Sequence, residues 1–431
     1  NDLGTLDTHT ATINWGDSSP VTTINPSVGT RTFSAPHQYL DDKASGADTY
    51  PITVTVADDD NGSGSASTSV AVSNVAPASV SLSKSASSIS ENGSVTLNGS
   101  FTDPGTLDVH TVSITWGDGG TTTLALAPNV LSFSSSHQYL DDNASDSYTI
   151  SVTVTDDDGG SASASTTLTV TNIAPASLSA TVSPNTLDEN DSTNVSGSFS
   201  DPGTLDPHTV TIGWGDGSGT TTINLPVGVF TFNAGHQYLD DNASDSYTIS
   251  VTVTDDDGGS ASTSPTITVH NVAPTVEAGP GQTVNEGDTV AVNASFGDDG
   301  TLDTFTSTVN WGDGNSQSVT PTVSAGEGTV AATHTYSDSG AYTVTVCVKD
   351  DDQSAPGTCD SLSVQVDNLP PTVNAGADQT VNEGAIVSVN ATYIDPGTAD
   401  THTATIIWGD GASQPGLVNQ GADTVSGSHA Y

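Results

Sequence analysis

The residues of this chain that can do chemistry are overwhelmingly carboxylates, and they recur at fixed places. A loop reading DPGTLD supplies Asp103 and Asp108, then Asp201 and Asp206, and in looser form Asp395 and Asp400. An aspartate triplet appears at Asp58 to Asp60, at Asp156, Asp157 and Asp158, at Asp255, Asp256 and Asp257, and at Asp350, Asp351 and Asp352. A solitary glutamate recurs as Glu91, Glu189, Glu286 and Glu383, and acidic pairs stand at Asp141 and Asp142 and at Asp240 and Asp241. Hard oxygen ligands in such density suit Ca²⁺, which takes six to eight of them. The competing reading is that Asp and Gly only make turns, through side chain to backbone bonds.

Composition narrows the field. The 431 residues carry 51 Asp and Glu against 4 Lys and Arg, a formal charge of −47. Phosphate binding needs clustered cations, so nucleic acid is excluded as a partner, and anionic lipid is disfavoured for the same reason. No stretch is long or apolar enough to span a bilayer. No metallohydrolase HExxH, nucleophile elbow, P-loop or dinucleotide fingerprint occurs, so no catalytic residue and no organic cofactor is assigned, and the chain is read as no enzyme.

The elements that must position these acids repeat. Trp-Gly-Asp occurs five times, led by Trp15, Trp116, Trp214, Trp311 and Trp408, at spacings of 101, 98, 97 and 97 residues. A His-x-Tyr follows each, at His37, His137, His236, His334 and His429. A junction reading NVAP, NIAP, NVAP or NLPP begins at Asn74, Asn172, Asn271 and Asn368. Internal periodicity of this kind marks a tandem array. Residues 137–163 and 236–262 are identical, which reads as recent duplication and speaks for length or valency rather than catalysis.

Within one copy the pattern is that of strands. HTVTIGWGDG alternates Val210, Ile212 and Trp214 toward one face, and SYTISVTVTDDDGG alternates Tyr247, Ile249, Val251 and Val253 inward. Such alternation belongs to half-buried strands and argues against a floppy linker despite the Ser and Thr content. Seven short strands with turns about every ten residues predict a two-sheet sandwich of the immunoglobulin type. The fold class is therefore all-β, tandem immunoglobulin-like sandwiches forming an extended rod. The expected boundaries are a partial copy at 1–74 without its two opening strands, whole copies at 75–172, 173–271 and 272–368, and a partial copy at 369–431 without its two closing strands; truncation of a longer array is the simpler expectation for both ends, with strand donation between neighbouring chains as the alternative.

WGDG, then HxY, then YTVTVTVxDDDG resembles the PKD domain, the polycystic-kidney-disease repeat, over nearly the whole chain. The first copy departs from it, with Ser18 and Ser19 where Gly is usual. PKD modules sit in secreted or surface proteins as spacers or contact modules, and that is what the resemblance implies here. The alternating Trp residues are expected in the core rather than as sugar platforms. Cys347 and Cys359 flank a hairpin and predict a disulfide, with a pair of free buried thiols as the alternative; a disulfide implies an oxidising compartment.

In such a sandwich the DPGTLD loop and the Asp triplet lie at one end and the recurrent Glu at the other, with Asp141 and Asp142. Stacked through short junctions, the lower loops of one copy face the acidic loops of the next, a layout similar to cadherin junctions. Ca²⁺ is thus expected at each junction, held by Glu91, Asp103, Asp108, Asp156 to Asp158, Glu189, Asp201, Asp206, Asp255 to Asp257, Glu286 and Asp350 to Asp352, with affinity on the order of 10⁻⁴ to 10⁻³ M. The function expected is an extracellular, repeat-built stalk or filament segment whose partners are neighbouring modules or other copies of itself. The alternatives are an adhesin or carbohydrate-binding region recognising surface glycans, and an accessory stalk of a larger secreted hydrolase.

Overall fold

The computed structural model describes residues 6–42 and 49–431; the remainder of the first copy, 1–5 and 43–48, lies outside the described residues. The described secondary structure consists of strands, and no described helix is long and apolar enough to cross a membrane.

The copy at 75–172 shows how one repeat folds. Its strands are β1 (Ala78–Lys84), β2 (Ser88–Ser90), β3 (Ser94–Thr102), β4 (His110–Thr115), β5 (Thr121–Leu126), β6 (Ser132–Gln138), β7 (Ser147–Thr155) and β8 (Ser161–Thr171). One sheet has the order β6-β3-β1 and the other β2-β8-β7-β4-β5. All pairings are antiparallel except β2 with β8, which runs parallel over Ser88↔Thr169 to Ser90↔Thr171. Alternate residues point inward, as the two-residue side-chain period requires. Val95, Leu97, Val112, Ile114, Trp116, Ile150, Val152, Val154, Leu168 and Val170 are all fully buried between the sheets.

The second to fifth repeats each own an interior. Among the described residues, four separate apolar clusters have buried members within 95–170, 187–269, 278–366 and 391–425, and none mixes repeats. The Trp of every copy is buried, from Trp116 at 0 % exposure to Trp15 at 9 %. Its indole stacks on the His of His-x-Tyr with ring centres 4.5 to 5.1 Å apart. That His reaches the Asp of WGD, as in His236 Nε2 to Asp216 Oδ2 at 2.6 Å. The Tyr hydroxyl donates to the Trp carbonyl, 2.8 Å from Tyr139 to Trp116. These three residues thus clamp the turn after β4 to the end of β6.

Two details depart from the sequence reading. Ile249 and Pro265 interrupt what were expected to be continuous strands in the third copy, giving Ser246–Thr248 and Ser250–Thr254, then Ser260–Thr263 and Thr266–His270. Proline has no amide hydrogen to give a ladder; the second copy carries Thr166 at that place and its strand is unbroken. The short strand that pairs in parallel with the last strand (β2 and its counterparts Thr186–Asp188 and Gln282–Asn285) was not anticipated. At three or four residues it is too short to show a period. Cys347 and Cys359 face each other across neighbouring strands and are joined by a disulfide.

Candidate metal centres

The short parallel strand fixes where the recurrent glutamate goes. In the second copy it ends at Ser90, and Glu91 follows beside the exit of β8. The Glu91 amide donates to the Thr171 carbonyl, and Glu91 Oε1 in turn accepts the amide of Ile173 in the linker at 2.5 Å. The same lock recurs from Glu189 to Val272 at 2.7 Å and from Glu286 to Leu369 at 2.6 Å. Each glutamate spends one oxygen on the linker. The other, Oε2, is buried and has no hydrogen-bond partner in all three cases.

That second oxygen points at the next repeat. Glu91 forms one triad with Asp201 and Asp206, ligand atoms all within 4.8 Å of one another, and a second triad with Asp141 and Asp142 of its own copy. The approach is close enough to demand glycine in the facing loop: a Cβ on Gly203 would run into the carboxylates of Glu91 and Asp206, and one on Gly300 would lie 2.5 Å from Glu189 Oε2. Gly397 meets Glu286 and Asp400 in the same way. At the junction of the first two copies, Asp103, Asp108 and Asp156 form a fully buried triad, and Asp41 and Asp42 reach Asp158.

The residues expected to bind metal divide into distinct roles. The first aspartate of each triplet builds structure: Asp156 Oδ1 accepts the amides of Asp158 and Gly160, and its Oδ2 accepts the side-chain amide of linker Asn74. Asp255 with Asn172, and Asp350 with Asn271, repeat the linker contact at 3.1 Å. The second can hold the neighbouring loop, as Asp157 accepts the amide of Val109 and Asp351 that of Thr304. The third, Asp158, Asp257 or Asp352, faces the acidic loop of the preceding copy. Asp103 and Asp201 each pair with a buried histidine, His110 at 3.0 Å and His208 at 2.9 Å, while their other oxygen caps a turn. Turn-making and clustering therefore coexist in the same residues.

Burial without cations raises the proton affinity of these acids. Burial, reinforced by the charge of Asp298, lifts Glu189 to about 7. Burial with Asp352 and Glu189 nearby lifts Asp241 to about 7. Burial and the adjoining carboxylates push Asp108, Asp206 and Asp303 well above the usual range as well. A divalent cation in contact with hard oxygens removes that penalty, and the orphaned buried oxygens of Glu91, Glu189, Asp206 and Asp303 are the atoms fit to hold it.

Sequence reasoning did not assign Asp298 and Asp303. Asp299 replaces the proline of the loop motif there, yet the following GTLD was intact and carried the signal. It also missed Asp146 and Asp245, and the linker asparagines Asn74, Asn172 and Asn271, whose Oδ1 atoms are buried and unpartnered.

Residues 271–366 match the PKD domain family. No curated protein sequence matches the chain. Among solved structures it is similar to a tetra-tandem repeat in the extending region of a large adhesion protein, at 19 % identity and a TM-score of 0.47, covering 85 % of this chain and 93 % of that one. It is also similar to the PKD domain of an M14-like peptidase from a Thermoplasmatales archaeon, at 17 % identity and a TM-score of 0.20 over 23 % of this chain and 100 % of that one. A Ca²⁺-stabilized adhesin from an Antarctic bacterium matches at 18 % identity and a TM-score of 0.22, over 85 % of this chain and 91 % of that one.

Proposed function

We propose that this chain, a tandem array of PKD-type immunoglobulin-like modules, is a stalk segment of an extracellular protein whose junctions are stiffened by Ca²⁺. The observation that supports this best is the recurrent glutamate. It locks its own linker with one oxygen and presents the other, buried and unpaired, to the acidic loop of the following module. Without a cation this arrangement is repulsive, because like charges face each other across a short linker. With Ca²⁺ the same atoms become ligands contributed by two modules at once, and relative motion of the modules costs metal contacts. Backbone bonds across the junctions already set the orientation, from the Leu107 amide to the Leu40 carbonyl and from the Thr301 amide to the Leu239 carbonyl.

Independent cores suit such a role, since a module with its own core holds its fold without depending on its neighbours. The Trp residues are sequestered under the His-x-Tyr clamp and offer no platform for sugar. The disulfide in the fourth module accords with an oxidising compartment.

Small-angle scattering of the full chain, first in chelator and then in millimolar Ca²⁺, tests the reading. A longer maximum dimension and a stiffer profile are expected on adding Ca²⁺, reversed by chelator. Superimposable profiles in the two conditions would overturn it.

A further inference from the structure

We infer that the junctions between the second and third modules and between the third and fourth each hold a second divalent cation, in a site formed by Asp142, Asp146 and Asp257 and repeated as Asp241, Asp245 and Asp352. This rests on the reading of the junctions as Ca²⁺ sites and gives them a second ion.

The loop that follows His-x-Tyr builds the site. The Tyr148 hydroxyl donates to the carbonyls of Asp141 and Asp142, at 3.2 and 2.8 Å, and pins both residues. The neighbouring side chains then diverge. Asp141 turns to Asp206 of the next module, whereas Asp142 turns to Asp146 of its own loop and to Asp257 of the next module. The Asp146 amide is tied to the Asn143 carbonyl at 2.7 Å and its own carbonyl to the Val170 amide, which holds its side chain over Asp142. In the third module Tyr247 pins Asp240 and Asp241 identically, and Asp241 meets Asp245 and Asp352.

Asp142 itself points to a ligand. It is 3 % exposed, and neither carboxylate oxygen has a hydrogen-bond partner. Asp241 is 4 % exposed and its Oδ2 is likewise buried and unpaired. Glu91 belongs both to the triad with Asp201 and Asp206 and to the triad with Asp141 and Asp142, so it stands between the two ions; one ion, which reaches its ligands at only about 2.3–2.6 Å, does not also take in Asp146 and Asp257 on the far side of Asp142. One divalent charge also falls far short of balancing Glu91, Asp141, Asp142, Asp146, Asp206 and Asp257 together. Three carboxylates drawn from two modules make an all-oxygen, adaptable set that suits Ca²⁺ better than the near-ideal octahedron Mg²⁺ demands. At the third-to-fourth junction Asp245 Oδ2 also lies 3.8 Å from His270 Nδ1, both half-exposed.

The loop of the fourth module is an internal control. Residues 337–341 replace the longer acidic loop, and only Asp338, exposed, is left. Tyr342 still anchors the loop, donating to the Asp338 carbonyl at 3.0 Å.

The test counts calcium bound by the full chain after chelation, by equilibrium dialysis at saturating Ca²⁺. The double variant Asp146→Asn with Asp245→Asn, at residues outside the triads of Glu91 and Glu189, should bind two ions fewer than the native chain and keep those that need Glu91 and Glu189. The Asp338→Asn variant should lose none. If the double variant binds the native number while Glu91→Gln with Glu189→Gln loses ions, each junction holds one ion and the second site does not exist. If the native chain binds no calcium, the stalk reading fails together with this one. Unchanged far-ultraviolet circular dichroism of each variant separates ligand loss from misfolding.

Discussion

The loops at 139–148 and 336–342 do the same structural work with different residues. Both return the chain from the His-x-Tyr strand into the Tyr-rich strand, and in both a tyrosine ring packs on the one before it, Tyr139 on Tyr148 at 4.9 Å and Tyr336 on Tyr342 at 4.2 Å. Both tyrosine hydroxyls seize a loop carbonyl. Only the longer loop carries Asp141, Asp142 and Asp146. The sandwich therefore does not need the acids. They are an addition to a loop that folds without them, and they stand where the next module begins. The junction after Asn172 is rich in carboxylates, whereas the one after Asn368 has Glu286, Asp395 and Asp400, with Asp395 paired to His402 at 2.6 Å.

That contrast makes the two glutamates unequal, and the largest effect is expected there. Glu286→Gln removes one of the few free carboxylates at the sparse junction, so calcium-dependent protection of the Leu369 amide from hydrogen exchange should vanish. Glu91→Gln removes one of many, so protection at Ile173 should persist and shift to about tenfold higher calcium, a change of about 1.4 kcal/mol. Equal responses from the two variants would mean that the surplus acids of the rich junction bind nothing.

Charge gives the next effect, and its sign depends on calcium. The carboxyls of Glu189 and Asp241 rise to about 7 and Asp298 to about 6, with burial the leading cause in each. A group held above its unfolded pKa favours folding while protonated, and that contribution is lost as pH climbs through the folded value. In chelator the melting temperature should fall between about pH 4 and pH 8; in calcium the fall should disappear, because the ion stabilises the charged form. The variant Asp206→Asn removes an uncompensated buried carboxylate. It should raise the melting temperature in chelator by several degrees, about 1 kcal/mol for a domain of this size, and lower it in calcium. A shift of the same sign in both media would remove the cation from the explanation.

Much of this was legible from residue spacing, and what escaped has physical causes. Trp214, Val210 and Ile212 sit where alternation along one strand places them, because one face of that strand is buried. The opposed ends of Glu91 and Asp201 followed from strand order, since each crossing of the sandwich reverses the chain. That they face each other across the junction follows from stacking the copies end to end; how closely they approach depends on the angle at the linker, where Asn172 binds Asp255. Nothing in a run of three aspartates announces that the first caps a turn and the third faces another module. Pro265 is a strand breaker, but the regular alternation around it reads as one continuous strand, which the structure divides into Ser260–Thr263 and Thr266–His270.

The smallest effect probes one of the positions at which two corresponding acidic loops differ. Asp201 is paired with buried His208, which also packs edge-on against Phe199 at 4.7 Å. In the next copy Phe305 takes the place of that histidine, packing against Phe296 at 5.0 Å, and Asp298 Oδ2 is left buried without a partner. The variant Phe305→His supplies the missing donor. In chelator it should stabilise the fourth module by about 1 kcal/mol or less, the usual worth of one added hydrogen bond, seen as a small rise in melting temperature. In calcium it should weaken binding at that junction a few-fold, because Asp298 Oδ2 is then engaged by the imidazole. Glu189 and Asp303 still supply their carboxylates, which keeps the loss small. If chelated protein is destabilised instead, the apolar contact of Phe305 with Phe296 outweighs the unmet carboxylate, and the phenylalanine is there for packing alone.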